Sequence, residues 1–303
     1  MGKTIFITGS SGFIGKNLSE HFKDKYNIIA PAHKELDLLS EKEVRTFFRD
    51  NDIDYVIHCA NIGGNRKYCG TSNVVGDNLR MFFNIADNSG HFERLIHFGS
   101  GAEYDKTRDL RSVREDEFGE YVPRDDYGFS KYCISKYIGE YSNFFCLRLF
   151  GVFGRYEDYE YKFISNAVVK NLLHMPVTIR QNVNFSWLYI KDLFPVVEYF
   201  LAKDPEFAFY NVTPPENLDL VSVAREINSV SDYKSDIIVE NEGMNLDYSG
   251  SNERLAAEIK KLRFTPFDSA LKELTGYYKS ILPTIDMDTI LQDSYASGCR
   301  IKK

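Results

Sequence analysis

Tyr127 and Lys131, in the run Tyr127-Gly128-Phe129-Ser130-Lys131, place a phenol and an ammonium four residues apart, hence on one face of a helix. A cation beside a phenol favours the phenolate and draws its pKa down from about 10 towards working pH. Such a group can trade a proton with a hydroxyl or a carbonyl while a hydride moves. Lys131 is also placed to hold a nicotinamide ribose. Alone, the pair is only two residues on a helix; Ser100 gives it context. Ser100 ends a β-rich run in Phe98-Gly99-Ser100-Gly101-Ala102-Glu103-Tyr104, and loops at the carboxyl ends of parallel strands line ligand crevices. There its hydroxyl either bonds the reacting oxygen or simply forms a turn.

The cofactor signal lies at the start of the chain. Thr4 to Thr8 run into Gly9-Ser10-Ser11-Gly12-Phe13-Ile14-Gly15, and a helical pattern follows at Leu18 and Phe22. Glycines permit the tight turn and close backbone approach, while the helix N-terminus offers free N–H groups and a positive dipole to a pyrophosphate. An ordinary Gly-rich turn is the alternative, and the position on the first strand of a βαβ pattern favours a dinucleotide. The second strand ends Ala30-Pro31-Ala32-His33-Lys34 without the acidic residue that would hold a ribose 2′-hydroxyl. His33, Lys34 or Ser11 can meet a 2′-phosphate, which tilts the preference to NADP(H); the other reading leaves His33 and Lys34 as solvated side chains. Asp37 is either a contact to the adenine edge or a helix-entry residue. Asn78 either ties its helix to a neighbouring strand or caps it.

The elements that must position these groups alternate. Lys3 to Thr8, Tyr26 to Ala30, Asp54 to Cys59, Arg94 to Gly99 and Phe144 to Arg148 read as strands. Between them lie amphipathic helical stretches, one of them opened by Ser40 and Glu43 as a capping box ahead of Val44, Phe47 and Phe48. Right-handed crossovers then predict an α/β fold, a doubly wound parallel sheet. The pattern loosens after Gly154, which predicts a smaller, interleaved C-terminal α+β domain for substrate. A strand-helix unit at about Phe185 to Leu201 is expected to return to the main sheet. The boundaries so read are 1–152 plus about 184–205 for the nucleotide-binding domain, and 153–183 plus about 206–303 for the substrate domain. Leu282 to Lys303 reads as a loosely docked tail.

Composition narrows the class. A formal charge of −7 over 303 residues argues against general affinity for nucleic acid or an anionic membrane, so phosphate must be held by local groups. Cys59, Cys69, Cys133, Cys146 and Cys299 show neither metal-ligand nor disulfide spacing. No metal is expected, and a reducing cytoplasm is. The opening residues lack signal-peptide character, and no stretch is long and apolar enough to span a bilayer.

Together TGSSGFIG, DYVIHCA (54–60), GSGAEY, YGFSK, LRLFGVFG (147–154), WLYIKDL (187–193) and YNV (210–212) resemble the extended short-chain dehydrogenase/reductases that modify nucleotide sugars, over nearly the whole chain. The resemblance implies a Rossmann sheet, a Ser100, Tyr127 and Lys131 triad, a pyrophosphate among Gly9, Gly12 and Gly15, and Asn78 as the structural asparagine. The candidate cofactor set is completed by Phe13, Ile14, Leu38, Cys59 and Ala60. It further implies a nucleotide-diphosphate sugar as substrate and a helix-packed homodimer.

Departures sharpen the expected reaction. The family's dehydratases carry an Asp-Glu pair after the catalytic hydroxyl residue, where this chain has Gly101-Ala102. ELDLLS and ANIGG resemble the GDP-L-fucose synthase branch, whose epimerising cysteine and histidine fall, by ungapped matching, on Ala102 and Lys162. The family's usual Asn and Arg are replaced by Gly151 and Phe185. The expectation is reduction of a 4-keto-6-deoxy sugar nucleotide. A 4-epimerase with tightly held NAD and a non-catalytic NAD(P)-binding sensor are the alternatives. Among the cations of the second half, Lys162, Lys170 and Arg254 are the candidates for the diphosphate. Trp187 reads as core packing.

Overall fold

The computed structural model describes residues 2–64, 71–297 and 299–302; Cys69 lies outside the described residues. The strands are β1 (Thr4–Thr8), β2 (Asn27–Ile29), β3 (Tyr55–His58), β4 (Arg94–Ser100), β5 (Leu110–Val113), β6 (Phe144–Leu149), β7 (Gly151–Phe153), β8 (Val177–Asn182), β9 (Asn184–Phe185), β10 (Trp187–Tyr189), β11 (Phe209–Asn211), β12 (Leu218–Asp219), β13 (Ile237–Met244) and β14 (Tyr248–Gly250). The α-helices are α1 (Phe13–Phe22), α2 (Glu41–Asp50), α3 (Val74–Ala86), α4 (Asp126–Ile138), α5 (Phe163–Leu172), α6 (Leu193–Ala202), α7 (Leu220–Val230), α8 (Glu253–Glu258), α9 (Phe267–Ile281), α10 (Met287–Gln292) and α11 (Ser294–Ser297).

Six parallel strands form the main sheet in the order β11-β6-β4-β3-β1-β2. The side chains of each strand alternate between its two faces. Ile5, Ile7, Ile57, Ile96, Phe98, Phe145 and Leu147 pack with Leu18 and Phe22 of α1 and with Val196, Val197 and Phe200 of α6. Their neighbours Phe6, Val56, Leu95, Phe144 and Cys146 pack on the other face with α2, α3 and α4, through Val44, Phe48, Phe82, Ile85, Ile134 and Ile138. This is the doubly wound architecture expected. Each fully buried Phe or Ile contributes roughly 1.5–3 kcal/mol, so both helical layers are held by the sheet rather than by helix propensity. The chain runs from β1 outward to β2 and then crosses to β3 on the other side, so the turn after β1 lies at the switch point where ligands of such sheets bind.

Three details differ from expectation. The sixth strand of the sheet is β11, pairing with β6 through Phe209↔Cys146 and Asn211↔Arg148. The 185–201 segment does not supply it: β10 pairs instead with β7, Trp187↔Gly151 to Tyr189↔Phe153. β7 has already left the sheet at Phe150, and β10 follows it; α6 then brings the chain back to β11. Second, the 282–303 segment is docked: Ile285, Ile290, Tyr295 and Ala296 are buried in the core, and the Lys302 backbone N–H donates to Gln181 Oε1 at 2.8 Å. Third, the capping box on α2 is half formed. Ser40 Oγ accepts from the Glu43 N–H, while the Glu43 carboxylate accepts from Asp37 N instead.

Strands β9, β12 and β14 of the second half join β5 of the first in a four-stranded sheet, β12-β9-β14-β5, and β13 pairs with β8. Because β14 pairs with β5 and β9, it carries residues of the second half to the mouth of the main sheet. Among the described residues no group of acidic, His and Cys side chains could hold a metal, and no helix is long and apolar enough to cross a membrane. Cys59, Cys133, Cys146 and Cys299 are free thiols.

Candidate active site

Gly9 adopts φ +62°, and a β-carbon there would lie 2.8 Å from Ala60 N; at Gly15 one would lie 2.3 Å from Gly9 O. These two glycines let α1 and the Cys59-Ala60 segment close on the turn. Gly12, the N-cap of α1, is different: its β-carbon would meet only Gly9 O, at 3.3 Å. No side chain caps the helix and no acidic residue lies in its first turn, so the leading amides of α1 beside Phe13 and Ile14 are free to face an anion. Thr8 Oγ1 accepts from Cys59 N and Ala60 N, each at 3.1 Å, and Ser10 Oγ donates to Ala30 O at 3.1 Å. The turn is thereby tied to the ends of β2 and β3, and its residues fit a dinucleotide pyrophosphate.

At the adenosine end, Ser11, His33 and Lys34 are exposed. The nearby carboxylates serve their own loop: Glu35 accepts from Ala32 N at 2.7 Å and Asp37 from Leu39 N at 2.9 Å. Leu38 offers its carbonyl to Asn84.

Tyr127 and Lys131 share a face of α4, which is capped by Asp125 through the Gly128 N–H at 3.0 Å. Gly128 has no room for a β-carbon, which would lie 2.7 Å from Ala102 O; this packs α4 against the turn that follows Ser100. Ser100, the last residue of β4, accepts from Ala102 N at 3.2 Å, and its own N–H donates to Glu103 Oε1 at 2.9 Å. Ser100 thus forms the turn that follows β4. Glu103 Oε2 accepts from Arg148 Nε and from Ser135 Oγ, both at 2.7 Å. Arg148 and Glu103 are fully buried, and Arg148 is further enclosed by Phe118, Phe209 and Tyr104.

The charge balance corrects one expectation. Burial pushes the Tyr127 phenol up to about 12; its interaction with Ser100 opposes this, and Glu103 and Asp125 reinforce it. Burial lowers Lys131 to about 8, against the pull of Glu103, Cys146 and Cys59. Desolvation thus moves the phenol up rather than towards phenolate; the Lys131 amine lies 5.9 Å from the ring centre. Under Lys131 the stacked imidazoles of His58 and His97, 5.4 Å apart, are kept neutral by burial first and by the Lys131 charge second.

Asn78 ties its helix down rather than capping it. Its side chain accepts from Ile62 N at 2.7 Å, donates to Ile62 O at 2.8 Å and reaches Ser130 Oγ at 3.2 Å. This fixes the Ile62-Gly63-Gly64 segment over Tyr127. Both glycines have positive φ, and a β-carbon on Gly64 would lie 3.0 Å from Tyr127 Cζ and 3.3 Å from its hydroxyl.

Of the three cations assigned to substrate, Lys162 reaches this segment, its Nζ 3.5 Å from Gly64 O. Lys170 does not: it is 2 % exposed and paired with Asp293 at 2.7 Å, committed to holding the C-terminal segment. Arg254 does not either. Its guanidinium donates to Phe209 O at 3.2 Å, pairs with Glu115 and lies against Phe207, at the amino end of β11, away from Ser100. Trp187 donates to Leu218 O and packs on Phe163 and Phe185. Sequence reasoning missed Gly63, Gly64, the Glu103–Arg148 pair, Tyr248 and Lys106, whose amine pairs with Asp125 at 2.9 Å and lies 5.9 Å from the Tyr127 ring centre. The paired glycines of ANIGG were the one local signal among them.

A glycine-lined helix start and a Ser, Tyr and Lys trio at the carboxyl edge of one doubly wound sheet define a nucleotide-cofactor enzyme. Residues 5–213 match the NAD dependent epimerase/dehydratase family, and the chain belongs to it. GDP-L-colitose synthase from Yersinia pseudotuberculosis is 26% identical over 262 residues, covering 76% of this chain and 80% of that protein. The fold is shared with GDP-mannoheptose C4 reductase from Campylobacter jejuni with NADP bound, at TM-score 0.80 and 19% identity over 92% of this chain and 98% of that one. It is equally shared with UDP-glucose 4-epimerase from Thermotoga maritima, at TM-score 0.79 and 15% identity over 92% and 99%, so the fold alone does not select the reaction.

Proposed function

We propose that this chain is an NADP(H)-dependent reductase of a nucleotide-linked 4-keto-6-deoxy sugar, in which Tyr127 gives the proton. The observation that carries this reading is the placement of Ser100 at the end of β4 and of Tyr127 and Lys131 on one face of α4, at the carboxyl edge of the sheet beside the glycine turn, in a chain similar to GDP-L-colitose synthase. A protonated phenol is the acid that a carbonyl reduction needs. The dinucleotide, when bound, supplies the hydride. Ser100 bonds the carbonyl oxygen, Tyr127 protonates it, Lys131 keeps positive charge beside the phenol, and Gly63-Gly64 shields the phenol from water. The Ser100–Tyr104 turn lacks a free carboxylate for dehydration: Ala102 is 1% exposed and Glu103 is engaged with Arg148 and Ser135.

Cofactor preference follows from the second-strand loop. Glu35 and Asp37 accept from backbone N–H groups of the loop, Asp37 Oδ1 also lies 4.0 Å from His33 Nδ1, and His33, Lys34 and Ser11 stay exposed, which suits a 2′-phosphate. NADP bound to the Campylobacter C4 reductase supports the same reading. Lys162 is proposed to meet the sugar diphosphate. The main sheet is assigned to the cofactor and the β12-β9-β14-β5 sheet with its helices to the sugar nucleotide. A cytoplasmic homodimer packed through α3 and α4, where Phe129 is exposed, completes the proposal; its mass by light scattering checks it.

Purified protein mixed with NADPH and 4-keto-6-deoxy hexoses carried on GDP, dTDP or UDP should oxidise the cofactor in step with sugar consumed, read as loss of reduced-nicotinamide absorbance. A new sugar formed with no net oxidation would establish an epimerase instead. No reaction with any of them, despite cofactor binding, would overturn the reduction reading.

A further inference from the structure

Tyr248 comes from the second half of the chain, 148 residues after Ser100, yet its hydroxyl lies 3.3 Å from Ser100 Oγ. β14 places it there by pairing Tyr248 with Leu110 of β5 and with Phe185 of β9. The ring is held between Phe150, 5.2 Å between centroids, and Phe185, 5.5 Å. Phe150 fits because it is wedged between glycines from the two halves: a β-carbon on Gly101 would lie 2.4 Å from its ring and one on Gly250 2.5 Å. The polar tip of Tyr248 is thus aimed out of an aromatic slot at one hydroxyl.

A serine hydroxyl has one proton to give and two lone pairs to fill. At Ser100 the Ala102 N–H takes one lone pair. A phenol is the stronger acid of a phenol–alkanol pair and therefore the better donor, so the Tyr248 O–H takes the other. With both lone pairs engaged, the Ser100 proton has to point away from them, towards Tyr127.

We propose that Tyr248 is a positioning residue of the active site, which acts through Ser100 by orienting its hydroxyl proton towards the Tyr127 phenol and the reacting oxygen. The kinetic part of this inference rests on the reduction proposed above; the structural part does not.

Tyr248→Phe keeps the ring in its slot and deletes only the hydroxyl. In the full-length protein saturated with NADP⁺ and labelled at tyrosine ¹³Cζ, the Tyr127 resonance is assigned by its loss in Tyr127→Phe. It should move in Tyr248→Phe and in Ser100→Ala, and adding Tyr248→Phe to Ser100→Ala should not move it further. With a reducible keto sugar, Tyr248→Phe should lower kcat about 10-fold, the effect of one hydrogen bond of roughly 1.4 kcal/mol, leaving KM and NADPH affinity within about twofold. In the Ser100→Ala background that loss should vanish, the signature of two residues acting as one unit. An unmoved Tyr127 resonance in Tyr248→Phe, or an equal further loss in the Ser100→Ala background, would overturn the proposal. If the unmodified protein reduces no keto sugar, the reduction reading fails while the resonance still decides the role of Tyr248. Should Tyr248→Phe not fold, the Tyr248 resonance in Ser100→Ala reads the same contact from the other side: movement supports it and constancy refutes it.

Discussion

The Lys131 amine donates to the backbone carbonyl of Phe98 at 2.7 Å and lies 3.5 Å from Nε2 of His97. A charge that is 2% exposed is therefore held against the underside of the site by a strand carbonyl and a neutral imidazole, with no carboxylate in contact. Its pKa falls from 10.5 to about 8 for that reason. The folded state binds the proton less tightly than the unfolded chain, so the penalty is full below pH 8. It is relieved as pH rises from about 8 towards 10.5.

Lys131→Met should accordingly stabilise the protein without cofactor while removing activity. The lost charge is worth on the order of 3 kcal/mol and the lost hydrogen bond offsets about 1, so the unfolding free energy at pH 7 should rise by roughly 2 kcal/mol. Urea unfolding across pH 7 to 10.5 should show the gap between variant and parent narrowing as the parent gains stability. A variant less stable than the parent at pH 7 would mean that Lys131 is chiefly a structural contact.

Tyr127→Phe removes the proton and keeps the ring that Gly63 and Gly64 cover. Turnover should fall roughly 10²- to 10⁴-fold, with NADPH affinity by fluorescence titration within about twofold. Retained turnover would take the phenol out of the mechanism.

Gly12 and Gly15 should separate binding from folding. Gly15→Ala forces a methyl to 2.3 Å from Gly9 O and should cost about 1–3 kcal/mol of stability. Gly12→Val meets little protein and occurs at an ordinary φ of −82°, so its melting point should stay close to the parent's while NADPH binding is lost. Unchanged binding in Gly12→Val would place the pyrophosphate elsewhere.

Lys34→Glu puts a negative charge at the exposed end of β2, where Glu35 and Asp37 are already turned to the backbone. NADPH affinity should fall about 10-fold more than NADH affinity. Equal losses for the two coenzymes would leave the 2′-phosphate to another residue.

What could be read beforehand was what depends on neighbours in sequence. The Gly9 to Gly15 turn, the four-residue spacing of Tyr127 and Lys131 and the alternation that builds the two faces of the sheet are local patterns, and the structure contains all three. Tyr248 has no such signature, since its role arises from β14 pairing with β5 and β9 across the fold. Glu103 and Arg148 likewise show their meaning only once both are buried together. Lys170 and Arg254 were assigned to substrate on charge alone; pairing with Asp293 and Glu115 accounts for them. The Tyr127 phenol shifts up where the spacing suggested down, because spacing reveals a nearby cation but not the desolvation of the phenol.

NADPH carrying deuterium on the transferable face of its nicotinamide, incubated with the 4-keto-6-deoxy sugar nucleotide that the protein accepts, tests the central claim most directly. One deuteron should appear at C4 of the product for each cofactor oxidised, and Tyr127→Phe should form labelled product roughly 10²- to 10⁴-fold more slowly. Product without deuterium at C4, or sugar interconversion that leaves the labelled cofactor intact, would contradict a reduction with Tyr127 as its acid.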